Sequence, residues 1–267
     1  MTEVAPDKQT SSSGDTSRAI IQVSDLTLGF DGIALLENLN FQVNRGEVFV
    51  ILGGSGSGKS TLLKHMIGLY APMSGQILID GQDIARAEGE ARMALLRKIG
   101  VAFQSGALFG SMTLLENVCL PLESHTALNR SARELVARMK LRLVGLSGFE
   151  HLLPAELSGG MQKRAAIARA MALDPMILFL DEPSAGLDPI TAADLDQLIL
   201  RLASSLGMTF VVVTHELASI DTIADRVIML DRQSRGIIAE GTPAMLRAHA
   251  EHPWVRRFFN RQATEAA

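Results

Sequence analysis

A glycine-rich run between an apolar stretch and a helical pattern is the feature that most constrains this chain. The apolar stretch EVFVIL, 47–52, leads into GGSGSGKS, Gly53 to Ser60, and TLLKHMIGL continues with helical periodicity. Glycine lets backbone N–H groups turn inward around an anion, and the positive end of the helix dipole favours the same anion. The pattern therefore predicts a strand, a phosphate-binding loop and a helix. A glycine-rich turn that binds nothing is the alternative, and the flanking strand and helix argue against it.

Two side chains at the end of this run have distinct expected roles toward a nucleoside triphosphate. Lys59 should reach the β- and γ-phosphates, and the hydroxyl of Ser60 should hold the Mg²⁺ that bridges them. ATP and Mg²⁺ are the expected ligands. The candidate binding set is the whole run with the residue that follows it: Gly53, Gly54, Ser55, Gly56, Ser57, Gly58, Lys59, Ser60 and Thr61.

A pair of acids closes a second apolar stretch, MILFLDEP, 176–183. Ligands of open α/β sheets bind at the carboxyl ends of strands, where this pair would lie. Because consecutive strand residues point to opposite faces, we expect Asp181 to face the Mg²⁺ and Glu182 to polarise the attacking water. The alternative is a solvated acidic turn before Pro183. His215 also follows an apolar strand pattern, 209–214, and should reach the γ-phosphate from there.

Short β-branched and aliphatic runs alternate with longer helical patterns along the chain, which predicts an α/β fold. The continuously apolar runs at 47–52, 176–181 and 209–214 should form a parallel core sheet. Turn signals at Asp31-Gly32 and Arg45-Gly46 indicate a flanking antiparallel sheet. Between about 88 and 165 helical patterns dominate, and we interpret this range as an inserted helical subdomain.

Composition excludes several classes of protein. A net charge of -4 gives no broad basic surface, so no nucleic-acid partner is expected. No apolar run approaches the roughly 18–20 residues that span a bilayer. The single Cys119 fits a reducing cytoplasm. Residues 1–18 are rich in Ser, Thr and Asp and are expected to be a disordered tail, not a signal peptide.

The segment LSGGMQKRAAIARAMALDP, 157–175, closely resembles the signature of the ATP-binding cassette (ABC) family and precedes the acid-bearing strand as it does there. The resemblance covers about 20–245 and implies a P-loop NTPase (RecA-like) core with an antiparallel β subdomain and an inserted α-helical subdomain. It implies a nucleotide-binding domain over 19–245, followed by a C-terminal helical tail, 246–267. Met161 departs from the commonest signature, which has Gln directly after the two glycines.

The resemblance also implies roles for residues outside the phosphate loop. In the family two cassettes pair head to tail, and the turn of Ser158, Gly159 and Gly160 caps the γ-phosphate held by the other subunit. A homodimer closed by ATP is therefore expected. Three further residues match by position: Gln104 as the sensor of Mg²⁺ and water, Asp188 as the interface aspartate, and His215 as the switch. Phe30 matches the aromatic residue that stacks on adenine, or it merely packs on the small sheet.

The stretch FQSGALFGSMTLLENVCLPLESHT, 103–126, looks like that of the Mla/Mce-type phospholipid-transport ATPases. This resemblance implies a membrane permease that docks on a groove near Gln104–Phe109, where Gly106, Ala107, Leu108 and Phe109 would determine partner choice. A generic loop of the helical subdomain is the alternative. The resemblance further implies Mce-type substrate-binding and small accessory subunits, and a peripheral location on the cytoplasmic face of the inner membrane.

Three functions are compatible with these features. The favoured one is an ATPase subunit that drives the movement of phospholipid or a related hydrophobic substrate through a separate permease. The same cassette could instead serve a permease for small polar solutes, or cell-wall signalling. A soluble machine acting on DNA or ribosomes is disfavoured, because the chain has neither long coiled coils nor a second phosphate loop.

Overall fold

The fold comes from a computed structural model that describes residues 19–261. The predicted tail 1–18 and the last six positions, 262–267, lie outside the described residues. The strands are β1 (Ala19–Phe30), β2 (Ile33–Asn44), β3 (Val48–Gly53), β4 (Ser74–Ile79), β5 (Gln82–Asp83), β6 (Ile99–Ala102), β7 (Ile177–Asp181), β8 (Thr209–Val213), β9 (Arg226–Asp231) and β10 (Gly236–Gly241). The helices are α1 (Lys59–Met66), α2 (Gly89–Arg97), α3 (Leu114–His125), α4 (Arg130–Leu143), α5 (Gly159–Ala170), α6 (Pro189–Leu206), α7 (Leu217–Ile223), α8 (Pro243–His249) and α9 (Pro253–Phe259).

The larger sheet contains the continuously apolar runs that predicted it. Its six strands have the order β10-β9-β3-β8-β7-β6. The five strands from β9 to β6 run parallel, and β10 pairs antiparallel with β9. β3 and β8 are buried along their whole length, as strands covered on both faces must be. The predicted α/β core is therefore confirmed.

The predicted antiparallel sheet is also present, with the strand order β2-β1-β4-β5. β1 and β2 form a hairpin whose turn is Asp31-Gly32, and both turn residues have positive φ. β4 pairs antiparallel with the other edge of β1. One hydrophobic core joins this sheet to α1 and to one face of the larger sheet, so the two sheets fold as neighbouring layers.

A strand of the larger sheet lies inside the range that the sequence assigns to a helical insert, about 88–165. β6 pairs in parallel with β7 at the edge of that sheet. Its four residues include Gly100 and form a run too short to stand out against the helical patterns on either side. Only after β6 does the chain leave the sheet, to form α3 and α4, which pack on each other and on α5. The range from about 88 to 165 therefore contains one strand of the larger sheet that the sequence patterns did not indicate.

The parallel register places three segments with candidate functional residues at the carboxyl ends of neighbouring strands. β3 ends at Gly53, β8 at Val213 and β7 at Asp181, and the register aligns Ile51 with Val213 and Val213 with Asp181. Since parallel strands share the direction of their carboxyl ends, the glycine loop, His215 and the acid pair emerge side by side. None of the helices between residues 19 and 261 has the length and apolar character that crossing a bilayer requires.

Gly100 tests how closely β6 packs against α5. A Cβ at this position would lie 2.2 Å from the carbonyl oxygen of Ala170 and 2.7 Å from Cδ2 of Leu178. We expect Gly100→Ala to lower the free energy of unfolding by about 1–3 kcal/mol, measured by urea denaturation. Gly110→Ala is the matched control, because no described atom lies within 4 Å of its Cβ position. Equal losses in the two variants would contradict the close contact of β6 with α5.

Candidate nucleotide site

The glycine-rich loop turns sharply between β3 and α1. Gly56 and Gly58 have φ values of 74° and 93°, which L side chains rarely adopt. At Gly53 a Cβ would lie 2.3 Å from Oγ of Ser57 and 2.7 Å from the carbonyl oxygen of Leu230. Glycine is thus required for conformation at two positions and for space at a third. α1 begins at Lys59, as predicted, so its N-terminus faces the loop.

Lys59 lies within the loop that precedes it. Its Nζ donates to the carbonyl oxygens of Gly53 at 2.8 Å and Gly54 at 3.1 Å. Burial lowers the pKa of Lys59, and the nearby carboxylates of Glu182 and Asp181 oppose that shift. Because a loop that holds its own lysine is already shaped around a positive charge, an incoming phosphate would find both the charge and the inward-turned backbone in place.

Ser60 and Asp181 approach each other across the edge of the sheet. The hydroxyl of Ser60 donates to Oδ1 of Asp181 at 3.4 Å. Burial raises the pKa of Asp181 and the Glu182 carboxylate adds to this rise, while the Ser60 bond and the charges of Lys64 and Lys59 act in the opposite direction. A buried carboxylate of this kind gains from a cation beside it.

A hydroxyl beside a carboxylate suits Mg²⁺, which usually takes one or two protein ligands and completes its shell with phosphate and water oxygens. Within residues 19–261, no group of three or more His, Cys, Asp or Glu side chains could hold a metal ion. The residues present therefore fit a cation that arrives with a nucleotide better than a metal bound by protein alone.

Glu182 and His215 are joined directly. Nδ1 of His215 lies 2.8 Å from Oε1 of Glu182, and because a carboxylate only accepts, the imidazole nitrogen carries the proton. Oε2 of Glu182 is buried and has no hydrogen-bond partner among residues 19–261. The two carboxylates were expected to point apart because consecutive strand residues face opposite sides of a sheet. The structure gives another cause, because β7 ends at Asp181 and Glu182 lies after it with a φ of 47°. A strained turn, not the pleat of a strand, directs the Glu182 carboxylate toward His215.

Gln104 shares a cleft of about 650 Å³ with Asp181. The side chain of Gln104 is exposed, while its backbone carbonyl accepts a bond from the ammonium of Lys163 in α5. The same ammonium lies 3.4 Å from the backbone carbonyl of Glu182. Burial lowers the pKa of Lys163, against the opposing effect of Glu182 and Asp181. Lys163 was not among the predicted site residues, although its place shortly after the two signature glycines was a usable signal.

The segment after Gln104 is held in an unusual conformation by Arg169. Gly106 and Ala107 both have positive φ, 73° and 48°. The guanidinium of Arg169 donates to the carbonyl oxygens of Ala107 at 2.7 Å and Gly106 at 3.0 Å. It also lies over the ring of Phe109, 6.0 Å from the centroid. Leu108 packs partly against the main core, whereas Phe109 is 51% exposed. Sequence analysis missed Arg169 as well.

The predicted signature turn and interface aspartate act as helix caps within this chain. Oγ of Ser158 accepts from the backbone N–H of Met161 at 3.3 Å, and Asp188 caps α6. A Cβ at Gly160 would lie 2.4 Å from Cγ2 of Thr191, so the N-termini of α5 and α6 pack closely. Within the described part of the chain, no hydrogen bond joins 158–160 to the glycine loop. These residues do not complete the loop of their own chain.

Phe30, the expected adenine contact, lies at the end of β1. Its ring is 47% exposed. The centroid lies 6.3 Å from that of His65 in α1 and 5.4 Å from that of Tyr70, in an edge-to-face arrangement with the tyrosine. Phe30 therefore packs against His65 and Tyr70 on one side and is open to solvent on the other. Packing alone would not require that exposure.

A family comparison decides among ATP-binding folds. The model of the ABC transporter family matches residues 36–185, more than half of the chain. The chain belongs to the ABC transporter family. As a member it is an ATPase that binds and hydrolyses ATP, which confirms the function class and the resemblance inferred from the glycine loop and the 157–175 segment.

Curated relatives of this ABC protein match at least 85% of its residues at 40–42% identity. The intermembrane phospholipid transport system ATP-binding protein MlaF of Haemophilus influenzae is 42% identical over 85% of both chains. MlaF of Escherichia coli is 40% identical over 90% of this chain and 88% of its own. The probable ribonucleotide transport ATP-binding protein mkl of Mycobacterium leprae is 42% identical over 90% of this chain and 68% of its own, so the ABC protein described here spans about two thirds of that longer relative.

Solved ABC cassettes share the fold. The cbiO1 structure from Clostridium perfringens, part of the transporter complex cbiONQ, superposes with a TM-score of 0.79 at 31% identity, over 88% of this chain and 92% of that one. A dimeric post-hydrolysis structure of the cassette MJ0796, bound to ADP and Pi, gives a TM-score of 0.74 at 34% identity, over 83% and 98%. The predicted fold class is thereby confirmed.

Replacing Lys59 tests the phosphate loop of this ABC protein. We expect Lys59→Ala to weaken ATP binding roughly 10- to 100-fold, because a charged hydrogen bond to phosphate contributes about 1.5–3 kcal/mol. Affinity for a fluorescent ATP analogue would be measured by titration. Lys98→Ala is the matched control, since its ammonium pairs with Asp80 at 2.5 Å in another part of the fold. Equal affinities for Lys59→Ala and the unmodified protein would contradict the assignment.

Proposed function

We propose that this chain is the ATP-hydrolysing subunit of an envelope transporter that moves phospholipid, or a related hydrophobic molecule, through a separate membrane permease. The observation that carries the proposal is the 40–42% identity to two MlaF proteins over at least 85% of their length. A location on the cytoplasmic face of the inner membrane, with Mce-type substrate-binding and small accessory subunits, belongs to the same proposal.

Within the site we assign each side chain one task. Lys59 binds the β- and γ-phosphates, and Ser60 and Asp181 hold Mg²⁺, assisted by Gln104. Bound Mg²⁺ would neutralise charge on the phosphates. Glu182 accepts the proton of the attacking water at its unpartnered Oε2, and this role is supported by the bond that fixes Oε1 to His215. His215 acts as the switch that positions this carboxylate.

The described chain supplies only part of a closed site. Ser158 and Gly159 are exposed at the N-terminus of α5, while Gly160 is buried against Thr191, and a helix N-terminus suits an anion. We propose that this turn caps the γ-phosphate bound by a second copy, with Asp188 at the interface between the copies. The dimeric MJ0796 cassette supports this arrangement by analogy. Phe30, with its exposed ring, then stacks on adenine.

Segment 104–109 is the proposed contact with the permease. Arg169 fixes its backbone, and Phe109 projects from it with half of its surface exposed. A cleft of about 680 Å³ is lined by Ser111–Thr113 and by residues of α3 and α4; it begins two residues after Phe109, and none of residues 104–109 lines it. A rigid loop bearing one exposed aromatic residue beside a cleft of this size suits an inserted helix from a partner. The same contact would serve a permease for polar solutes, and the similarity to mkl of Mycobacterium leprae, a probable ribonucleotide transport protein, supports this alternative.

The role of Glu182 can be tested by an isosteric change. We expect Glu182→Gln to lower the rate of ATP hydrolysis by at least about 100-fold, because the amide cannot accept the proton, while ATP still produces a dimer. Phosphate release and size-exclusion chromatography with light scattering measure the two effects. Glu216→Gln, which changes an exposed carboxylate 3.9 Å from His215, is the control and should keep most of the activity. Normal turnover by Glu182→Gln would remove it from the role of base.

The permease contact can be tested at Phe109. Because Leu108 is partly packed in the core, the exposed Phe109 is the cleaner position. We expect Phe109→Asp to keep ATP binding but to lose the co-purification of the membrane subunit. Leu206→Asp is a control on an equally exposed apolar residue that precedes β8, at the opposite edge of the sheet. A complex that assembles normally with Phe109→Asp would contradict the contact.

Purification of the complex from membranes with Glu182→Gln would identify the cargo. Phospholipid and an Mce-type subunit in the preparation would support the lipid proposal. A permease of the small-solute type without bound lipid would instead favour the alternative.

A further inference from the structure

Lys163 lies where three parts of the site meet. It stands one turn after Ser158–Gly160 in α5, and its ammonium donates to the backbone carbonyl of Gln104. The backbone carbonyl of Glu182 lies 3.4 Å from the same nitrogen. Lys163 thus joins the signature helix to the sensor segment on one side and to the catalytic turn on the other.

No other side chain in the described part of the chain makes hydrogen bonds to both Gln104 and Glu182. The donor in these contacts is the charged ammonium of Lys163, and hydrogen bonds from a charged donor are roughly twice as strong as neutral ones. Lys163 is half-buried in α5, and its bond to Gln104 lies at the cleft that Gln104 and Asp181 share. A change in the position of either carbonyl would therefore displace Lys163.

α5 is built to transmit such a displacement as a rigid body. Four consecutive residues in its second half, 165–168, are buried, and its N-terminus packs against α6 through Gly160 and Thr191. Lys163 lies one turn from Ser158–Gly160 in the same hydrogen-bonded helix, so the two positions belong to one continuous element. Movement at the catalytic turn would therefore reach the signature turn.

We propose that Lys163 is a positioning residue that couples the catalytic turn of each subunit to the signature turn that the subunit offers to its partner. The inference rests on the proposed head-to-tail dimer. In that dimer a change at Gln104 or Glu182 of one site is passed through Lys163 and α5 to the nucleotide of the second site. The consequence is cooperative hydrolysis, with the two sites linked by side chains and not only by closure of the interface.

The test compares three variants of the full chain. Lys163→Met removes the charge, Lys163→Arg keeps it, and Arg164→Met removes the neighbouring charge of α5, which faces Asp194 at 4.0 Å. Hydrogen exchange of nucleotide-free protein tests the contact itself. We expect the 103–109 peptide to exchange about fivefold faster or more in Lys163→Met, because one charged hydrogen bond is lost, and to be unchanged in the other two.

The dependence of hydrolysis on ATP concentration tests the coupling. We expect the Hill coefficient to fall toward about 1 in Lys163→Met, with nucleotide affinity of the isolated subunit and melting temperature retained. Lys163→Arg should restore the cooperativity. A purely structural role would lower the melting temperature or ATP affinity without a selective loss of cooperativity, and that result would overturn the inference.

Two other results would also overturn it. Unchanged exchange of the 103–109 peptide in Lys163→Met would disprove the contact, whatever the enzyme activity. Faster exchange with an unchanged Hill coefficient would disprove the coupling while leaving the contact intact. Failure of the proposed function has a different signature, because the unmodified protein would then show no ATP-dependent dimer and no cooperativity, whereas the exchange measurement would still report on Lys163.

Discussion

The parallel pairing of β3, β8 and β7 is the constraint on which the rest of the site depends. Register fixes Val213 between Ile51 and Asp181, so the chain segments that follow all emerge in one row. A slip of one residue would reverse the facing of every side chain and would misplace the acid pair relative to Ser60. Continuous burial of β3 and β8 makes such a slip costly. The chemistry at the edge is therefore held in place by the hydrophobic core beneath it.

The core strands and the glycine loop could be predicted from the sequence because each leaves a local pattern of residue types. Buried strands give uninterrupted apolar runs, and the glycine loop must have glycine at Gly53, Gly56 and Gly58, so both are visible in one dimension. β6 was missed because a short edge strand with Gly100 gives little signal. The turn at Glu182 was missed because glutamate, unlike glycine, gives no indication in the sequence of a positive φ. Lys163 and Arg169 were missed because their partners are backbone carbonyls about 60 residues away.

The structure of a single chain does not reveal whether Ser158 and Asp188 contact a second copy. Both residues satisfy the backbone N–H groups of their own helices, which is a sufficient structural reason for each. A helix cap and an interface residue can be the same side chain, because a capped N-terminus still presents the positive end of its dipole. The further role proposed for these residues rests on the family relationship and on a second copy of the chain.

The charge balance of the site suggests why its cations come from different elements. Asp181 and Glu182 lie together in a partly desolvated place, and the opposing positive charges come from Lys59 and Lys64 in α1 and from Lys163 in α5. An arriving triphosphate brings more negative charge than Lys59 alone can neutralise, which is a physical reason for Mg²⁺ to bind with it. The ammonium of Lys163 donates to the backbone carbonyl of Gln104 and lies 3.4 Å from that of Glu182. Its ammonium thus connects the turn at Glu182 to the segment at Gln104, and its attraction to the carboxylates of Glu182 and Asp181 adds to that connection.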